Sequence, residues 1–182
     1  MSGDFSSPDG AGRKGLTAGR ISLAAILALS VVLLDQASKL WAVRSLAGQI
    51  PMTVVDNFFH LTYHRNAGGV FGLFAGSSFM DKRIFFTAAT LLALALIAYY
   101  LREFGGESLP ALIGLSLITG GAVGNLIDRI RYGEVIDFID WHWYDHHWPT
   151  FNVADGGITV GTILLLVTLV LMPGEKAVDR PQ

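Results

Sequence analysis

The chain has 182 residues, of which 13 Lys/Arg and 15 Asp/Glu make only 15% charged, about 17 charges fewer than an ordinary soluble domain of this length carries. A hydrophobic content of 52% and a net charge of -2 exclude a disordered chain and leave no basic footprint for nucleic acid. With no Cys, a disulfide framework, a thiol nucleophile and a thiolate metal site are excluded as well.

Residues 1–20, rich in Ser, Gly and Asp without periodicity, are expected to form a disordered tail. Ile21 to Leu34 is a charge-free run of 14 residues, and extending it through Asp35 and Lys39 to Val43 gives 23, a first span with polar groups near its far end. Arg20, the apolar stretch and Ser45-Leu46-Ala47 imitate a cleaved signal peptide, but Asp35, Lys39 and Arg44 intervene before Ala47, which favours a retained helix. The next segment, about 49–74, contains the β-prone runs Thr53-Val54-Val55 and Phe58 to Tyr63, punctuated by Pro51, Gly68, Gly69 and Gly72. It is expected to form a small antiparallel sheet outside the membrane.

Ile84–Leu101, Ser108–Ile127 and Gly156–Gly174 are charge-free over 18, 20 and 19 residues, each long enough to cross a hydrocarbon core of about 30 Å. Arg102–Glu107 is a short turn, Asp128–Thr150 a longer connection rich in Trp and His, and residues 173–182 a second tail. In that connection Asp140, His142, Asp145, His146 and His147 include a His-x-x-x-His step, which suggests a metal site. Their company, Trp141, Trp143, Tyr144 and Trp148, instead favours a loop at the lipid headgroups, with no metal. Gly120-Gly121-x-x-Gly124 lacks the preceding strand of a phosphate loop and is expected to serve close helix packing. Apart from Lys39 within the first span, the Lys/Arg are divided six and six between the two sides, so the positive-inside rule does not set the orientation.

Four alternating spans place the end of the first, the end of the third and the start of the fourth on one side. Asp35 and Lys39 are i, i+4; Asn125, Asp128 and Arg129 are i, i+3, i+4; Asn152 and Asp155 are i, i+3. Each set shares a helix face, and polar groups at membrane depth turn to partners or cavities. Asp35, Asp128, Asp137, Asp140 and Asp155 are the carboxylates available there. Two of them in a poorly hydrated site cannot both ionise easily and act together as acid and base on one water, the chemistry of an aspartic protease. Periodicity does not choose the pair. A transporter would favour acids near the midplane rather than at one rim, and an inactive subunit would leave the polar sets unexplained.

At these residues the chain resembles the lipoprotein signal peptidases (signal peptidase II), bacterial intramembrane aspartic proteases. Five stretches carry the resemblance: Asp35-Gln36-Ala37-Ser38-Lys39, Asn66 to Phe71, Gly120 to Arg129, Val135-Ile136-Asp137-Phe138, and Phe151-Asn152-Val153-Ala154-Asp155. The resemblance implies an all-α integral membrane protein: four transmembrane helices over residues 21–172 with a small extramembrane antiparallel β-cradle between the first two. It implies that Asp137 and Asp155 are the catalytic dyad, with Asp137 in the loop approaching the fourth span, and that Asp35, Lys39, Asn66, Asn125, Arg129 and Asn152 bind and position substrate. Asp128 is expected to be a structural partner near the site. Neither metal nor cofactor is implied. The implied substrate is a lipid-modified prolipoprotein, cleaved N-terminal to its diacylglyceryl cysteine. The implied setting is the bacterial inner membrane, with lipids as neighbours, both termini cytoplasmic, the dyad toward the outer face, and a monomer.

Overall fold

The computed structural model describes residues 15–68 and 79–171. The tails at 1–14 and 172–182, and the part of the expected cradle from Gly69 to Phe74 with its motif residues Gly69, Val70 and Phe71, lie outside the described residues. The described residues form four long helices: α1 (Ala18–Leu46), α2 (Phe79–Phe104), α3 (Leu109–Tyr132) and α4 (Val153–Leu171). Each is long and apolar enough to cross a membrane. The first begins at Ala18, inside the stretch expected to be tail, because Thr17 caps it, its Oγ1 accepting the Arg20 N–H. The third is capped by Ser108 and ends at Gly133, whose positive φ of 78° turns the chain out of the helix while its N–H reaches the Arg129 carbonyl at 3.0 Å.

α3 is the central helix: more than half of its most apolar stretch is buried, against none of that in α2. Glycines let α1 and α4 approach it. A Cβ on Gly121 would lie 2.3 Å from the Ala154 carbonyl oxygen, and one on Gly120 would lie 2.6 Å from that of Ala28. Gly114 and Gly161 face each other across α3 and α4 in the same way. The outer faces carry exposed Leu33, Leu34, Leu92, Leu96, Ile163 and Leu166, the surface expected of helices solvated by lipid rather than water. Arg20 Nη1 donates to the Gly105 carbonyl at 2.7 Å, tying the start of α1 to the turn between α2 and α3.

At the opposite end lies a four-stranded antiparallel sheet, β1 (Met52–Val55), β2 (Phe59–Asn66), β3 (Val135–Trp143) and β4 (His146–His147), in that spatial order. Among the described residues, β1 and β2 come from the segment between the first two helices, where the sequence placed the cradle. The other half comes from the Trp/His connection, expected to be a loop. Val-Ile-Asp-Phe-Ile-Asp-Trp-His-Trp is β-prone, and pairing with a strand about 75 residues earlier supplies its backbone partners. Asp137 therefore sits within a strand, opposite His64. Between Leu61 and His64 the register slips, two steps on β3 facing three on β2, a bulge that bends β2 beside the site.

Candidate active site

The site forms where α1, α3 and α4 meet the β2–β3 pair, and its foundation is a lysine inside the helix bundle. Lys39 is 2% exposed, and its Nζ contacts Asp35 Oδ2 at 2.9 Å, Asp128 Oδ2 at 2.8 Å and Asn125 Oδ1 at 2.9 Å. An ammonium has three donors and no acceptor, so all of its capacity is spent on these three contacts. Each carboxylate then reaches a second element. Asp35 Oδ1 accepts the backbone N–H of Ala154 at 2.9 Å, in the first turn of α4. Asp128 Oδ2 accepts that of Ile136 at 3.1 Å, at the start of β3. Gln36 Nε2 lies 3.2 Å from Asp35 Oδ2, 3.1 Å from Asp128 Oδ1 and 3.2 Å from the Gly124 carbonyl. One buried network thus fixes the two segments that carry Asp137 and Asp155.

Asn152 joins those segments directly. It precedes α4, where its side-chain oxygen accepts the Asp155 N–H at 3.0 Å while Asp155 Oδ2 accepts the Asn152 N–H at 3.3 Å. This is the reciprocal capping box of a helix N-terminus with Asp in the third position. Asn152 Nδ2 points the other way, 2.6 Å from Asp137 Oδ1, and also lies 3.2 Å from Asn125 Oδ1 and from the Ile136 carbonyl. Asn66, at the end of β2, donates to Asp137 Oδ2 at 3.0 Å and accepts the Gly68 N–H at 2.9 Å. Asn125 donates to Asp155 Oδ1 at 2.8 Å. Gly68 holds φ +74°, and a Cβ there would run into the Phe86 ring.

Asp137 is 1% exposed, whereas Asp155 is half-buried. Burial pushes the Asp137 carboxyl up from its ordinary value to about 6. The Asn66 amide opposes this shift, the charge of Asp155 adds to it, and Asn152 and Lys39 pull it back. Arg129 lies within electrostatic reach of Asp155, Asp128 and Asp137, with its guanidinium 5.6 Å from the centre of the Phe86 ring. A protonatable carboxyl beside a second carboxylate, both held by amide donors, has the equipment to activate a water and protonate a leaving group.

The chain matches the family model described as Signal peptidase (SPase) II over residues 27–171. It belongs to the signal peptidase II family. It is 47% identical over 155 residues to the lipoprotein signal peptidase of Geobacter metallireducens, covering 85% of this chain and 94% of that protein. It is 42% identical over 147 residues to that of Syntrophus aciditrophicus, covering 81% and 91%. A solved bacterial membrane enzyme, determined by the in meso method at 1.9 Å resolution, superposes with a TM-score of 0.74 at 32% identity, covering 87% of this chain and 97% of that one. The protein is a membrane-embedded peptidase of the aspartic class.

The residues singled out in the sequence meet here: Asp35, Lys39, Asn66, Asn125, Asp128, Arg129, Asp137, Asn152 and Asp155 occupy one connected cluster. Asp35 and Lys39, expected to bind substrate, are 0% and 2% exposed, and their polar atoms meet one another, Asp128, Asn125 and the Ala154 N–H. Asp140 is not part of it. Asp137 and Asp140 are three residues apart on β3, which points them to opposite faces. Gln36 joins the cluster as well; its signal in the sequence is a further polar side chain beside Asp35 at the end of an apolar run.

Proposed function

We propose that Asp137 and Asp155 are the catalytic dyad and that the peptidase removes signal peptides from prolipoproteins, cutting N-terminal to a diacylglyceryl cysteine. The observation that carries the pairing is Asn152, whose side chain donates to Asp137 while its backbone N–H serves Asp155. This bridge sets two carboxylates from different elements side by side. The substrate is inferred from relatives named lipoprotein signal peptidases that match along nearly their whole length. A site built at the junction of apolar helices and a sheet suits it, because the acyl chains stay in lipid while the peptide reaches the carboxylates.

In this mechanism one carboxylate, ionised, takes a proton from a water as its oxygen bonds to the scissile carbonyl carbon. The other, protonated, hydrogen-bonds the carbonyl oxygen, and a proton passes to the leaving amine as the C–N bond breaks. Asp137, buried and raised to about 6, is suited to hold the shared proton. Asn66 and Asn152 fix its two oxygens, and Arg129 supplies positive charge near the developing oxyanion. Asn125 orients Asp155. No cofactor enters these steps.

The proposed setting is the bacterial inner membrane, with both termini cytoplasmic, the sheet and dyad toward the outer face, and a single chain as the working unit. The contact of Arg20 with the α2–α3 turn is consistent with the start of α1 and that turn lying at one end of the bundle. The test is a gel-shift assay on a lipidated prolipoprotein with its unlipidated control. Asp137→Asn and Asp155→Asn are each expected to abolish processing, and substantial turnover by either refutes the dyad.

A further inference from the structure

On the face of β3 opposite Asp137, three strands bring histidines around a second carboxylate. His60 on β2 stands directly across from Asp140, and His142 on β3 directly across from His147 on β4. The rings of His60 and His142 are 4.2 Å apart and those of His142 and His147 are 4.7 Å apart. His60, Asp140 and His142 can each offer one ligand atom, and these atoms all lie within 4.8 Å of one another. His142 is only 6% exposed, and its Nδ1 has no hydrogen-bond partner among the described residues. A buried ring nitrogen left unsatisfied is destabilising, and a ligand at that atom would relieve it.

We propose that His60, Asp140 and His142 form a divalent transition-metal site, with zinc as its first occupant, independent of the peptidase reaction. Two imidazoles and one carboxylate are a zinc donor set, whereas magnesium and calcium require oxygen ligands. Tetrahedral ligands at about 2.0–2.1 Å from zinc sit roughly 3.3 Å apart, so the three side chains close inward by about 1.5 Å at most as the ion binds. His147 Nδ1 lies 2.9 and 3.1 Å from the two Asp140 oxygens, and its N–H orients the carboxylate as an outer-shell partner. The site opens into a cleft of about 470 Å³ whose rim includes Asp56 and Asp145, both exposed. Their charge draws cations in, and the open fourth position is left to water. Bound there, the ion ties β2 to β3, three residues along the strand from Asp137. The His-x-x-x-His step in the sequence, His142 to His146, is not the pair that meets; His60, some 80 residues away, replaces His146.

The experiment uses the full chain without a polyhistidine tag, in detergent. Zinc is titrated calorimetrically, cobalt by its visible d–d absorption, and magnesium serves as the control. The expected result is one saturable zinc site, a cobalt spectrum of low-coordinate form, and no competition by magnesium. Zinc should also raise the melting temperature. His142→Ala and His60→Gln should each abolish the site, and His147→Ala should weaken it about 10- to 100-fold. Should His142→Ala fail to fold, His60→Gln and Asp140→Asn decide the matter. The absence of saturable zinc binding, or binding unchanged in His60→Gln, overturns the proposal.

Discussion

Lys39→Met separates two roles for this lysine, contact with substrate and internal support. Methionine keeps most of the length and the apolar stem but removes three contacts of 2.8 to 2.9 Å. Asp35 and Asp128, 0% and 1% exposed, are then left facing each other without a cation. Breaking a buried ion pair from one side costs about 3–5 kcal/mol. At roughly 2–4 °C per kcal/mol for a chain of this size, the melting temperature in detergent should fall by about 6–20 °C. Neutralising a stranded partner should return part of the loss, so Asp35→Asn combined with Lys39→Met should cost less than the two single changes added together. The measurement is thermal unfolding followed by tryptophan fluorescence, with cleavage kinetics on the same preparations. A melting temperature shifted by no more than about 2 °C, together with a raised KM, would refute internal support and return Lys39 to the substrate pocket.

The Asp137 carboxyl makes stability depend on pH. Its folded value, about 6, lies above its ordinary value of 3.8, so the folded state holds the proton longer than the unfolded state. The stabilisation is complete below about pH 4 and lost as pH rises to about 6, by about 3 kcal/mol for a shift of about two units. Urea denaturation across that range in wild type and Asp137→Asn measures it, and equal pH slopes in the two would contradict the burial argument. Gly124→Ala is expected to destabilise by about 1–3 kcal/mol, because the added Cβ would lie 2.6 Å from Asp35 Oδ2, an atom already held by Lys39. Gly156→Ala, with nothing within 4 Å of its Cβ, serves as the control and should be neutral or stabilising by up to about 1 kcal/mol. Equal melting temperatures for the two variants would remove the packing explanation.

Much of the protein is written locally in its sequence. The four spans follow from the length and apolarity of their runs, a local property with a fixed rise per residue. The convergence of Asp35, Asn125 and Asn152 follows from alternating spans and helical periodicity alone. The choice of Asp137 and Asp155 among five carboxylates did not; it came from resemblance, and the structure adds Asn152, which contacts both of them.

Other features exist only once distant segments meet. β3 finds its partner in β2, and that long-range pairing turns an expected loop into the strand carrying Asp137. The same register sets His60 opposite Asp140, a juxtaposition that no spacing within the Trp/His stretch contains. Lys39 stands i, i+4 from Asp35 and so reads as one polar pair on a helix, yet its position between α1 and α3 gives it Asp128 and Asn125 as well. Sequence thus determined which polar residues enter the membrane helices, because apolar solvent makes each exception costly. Tertiary structure decided which partners each of them meets, because a donor's capacity is finite and only packing fixes what fills it.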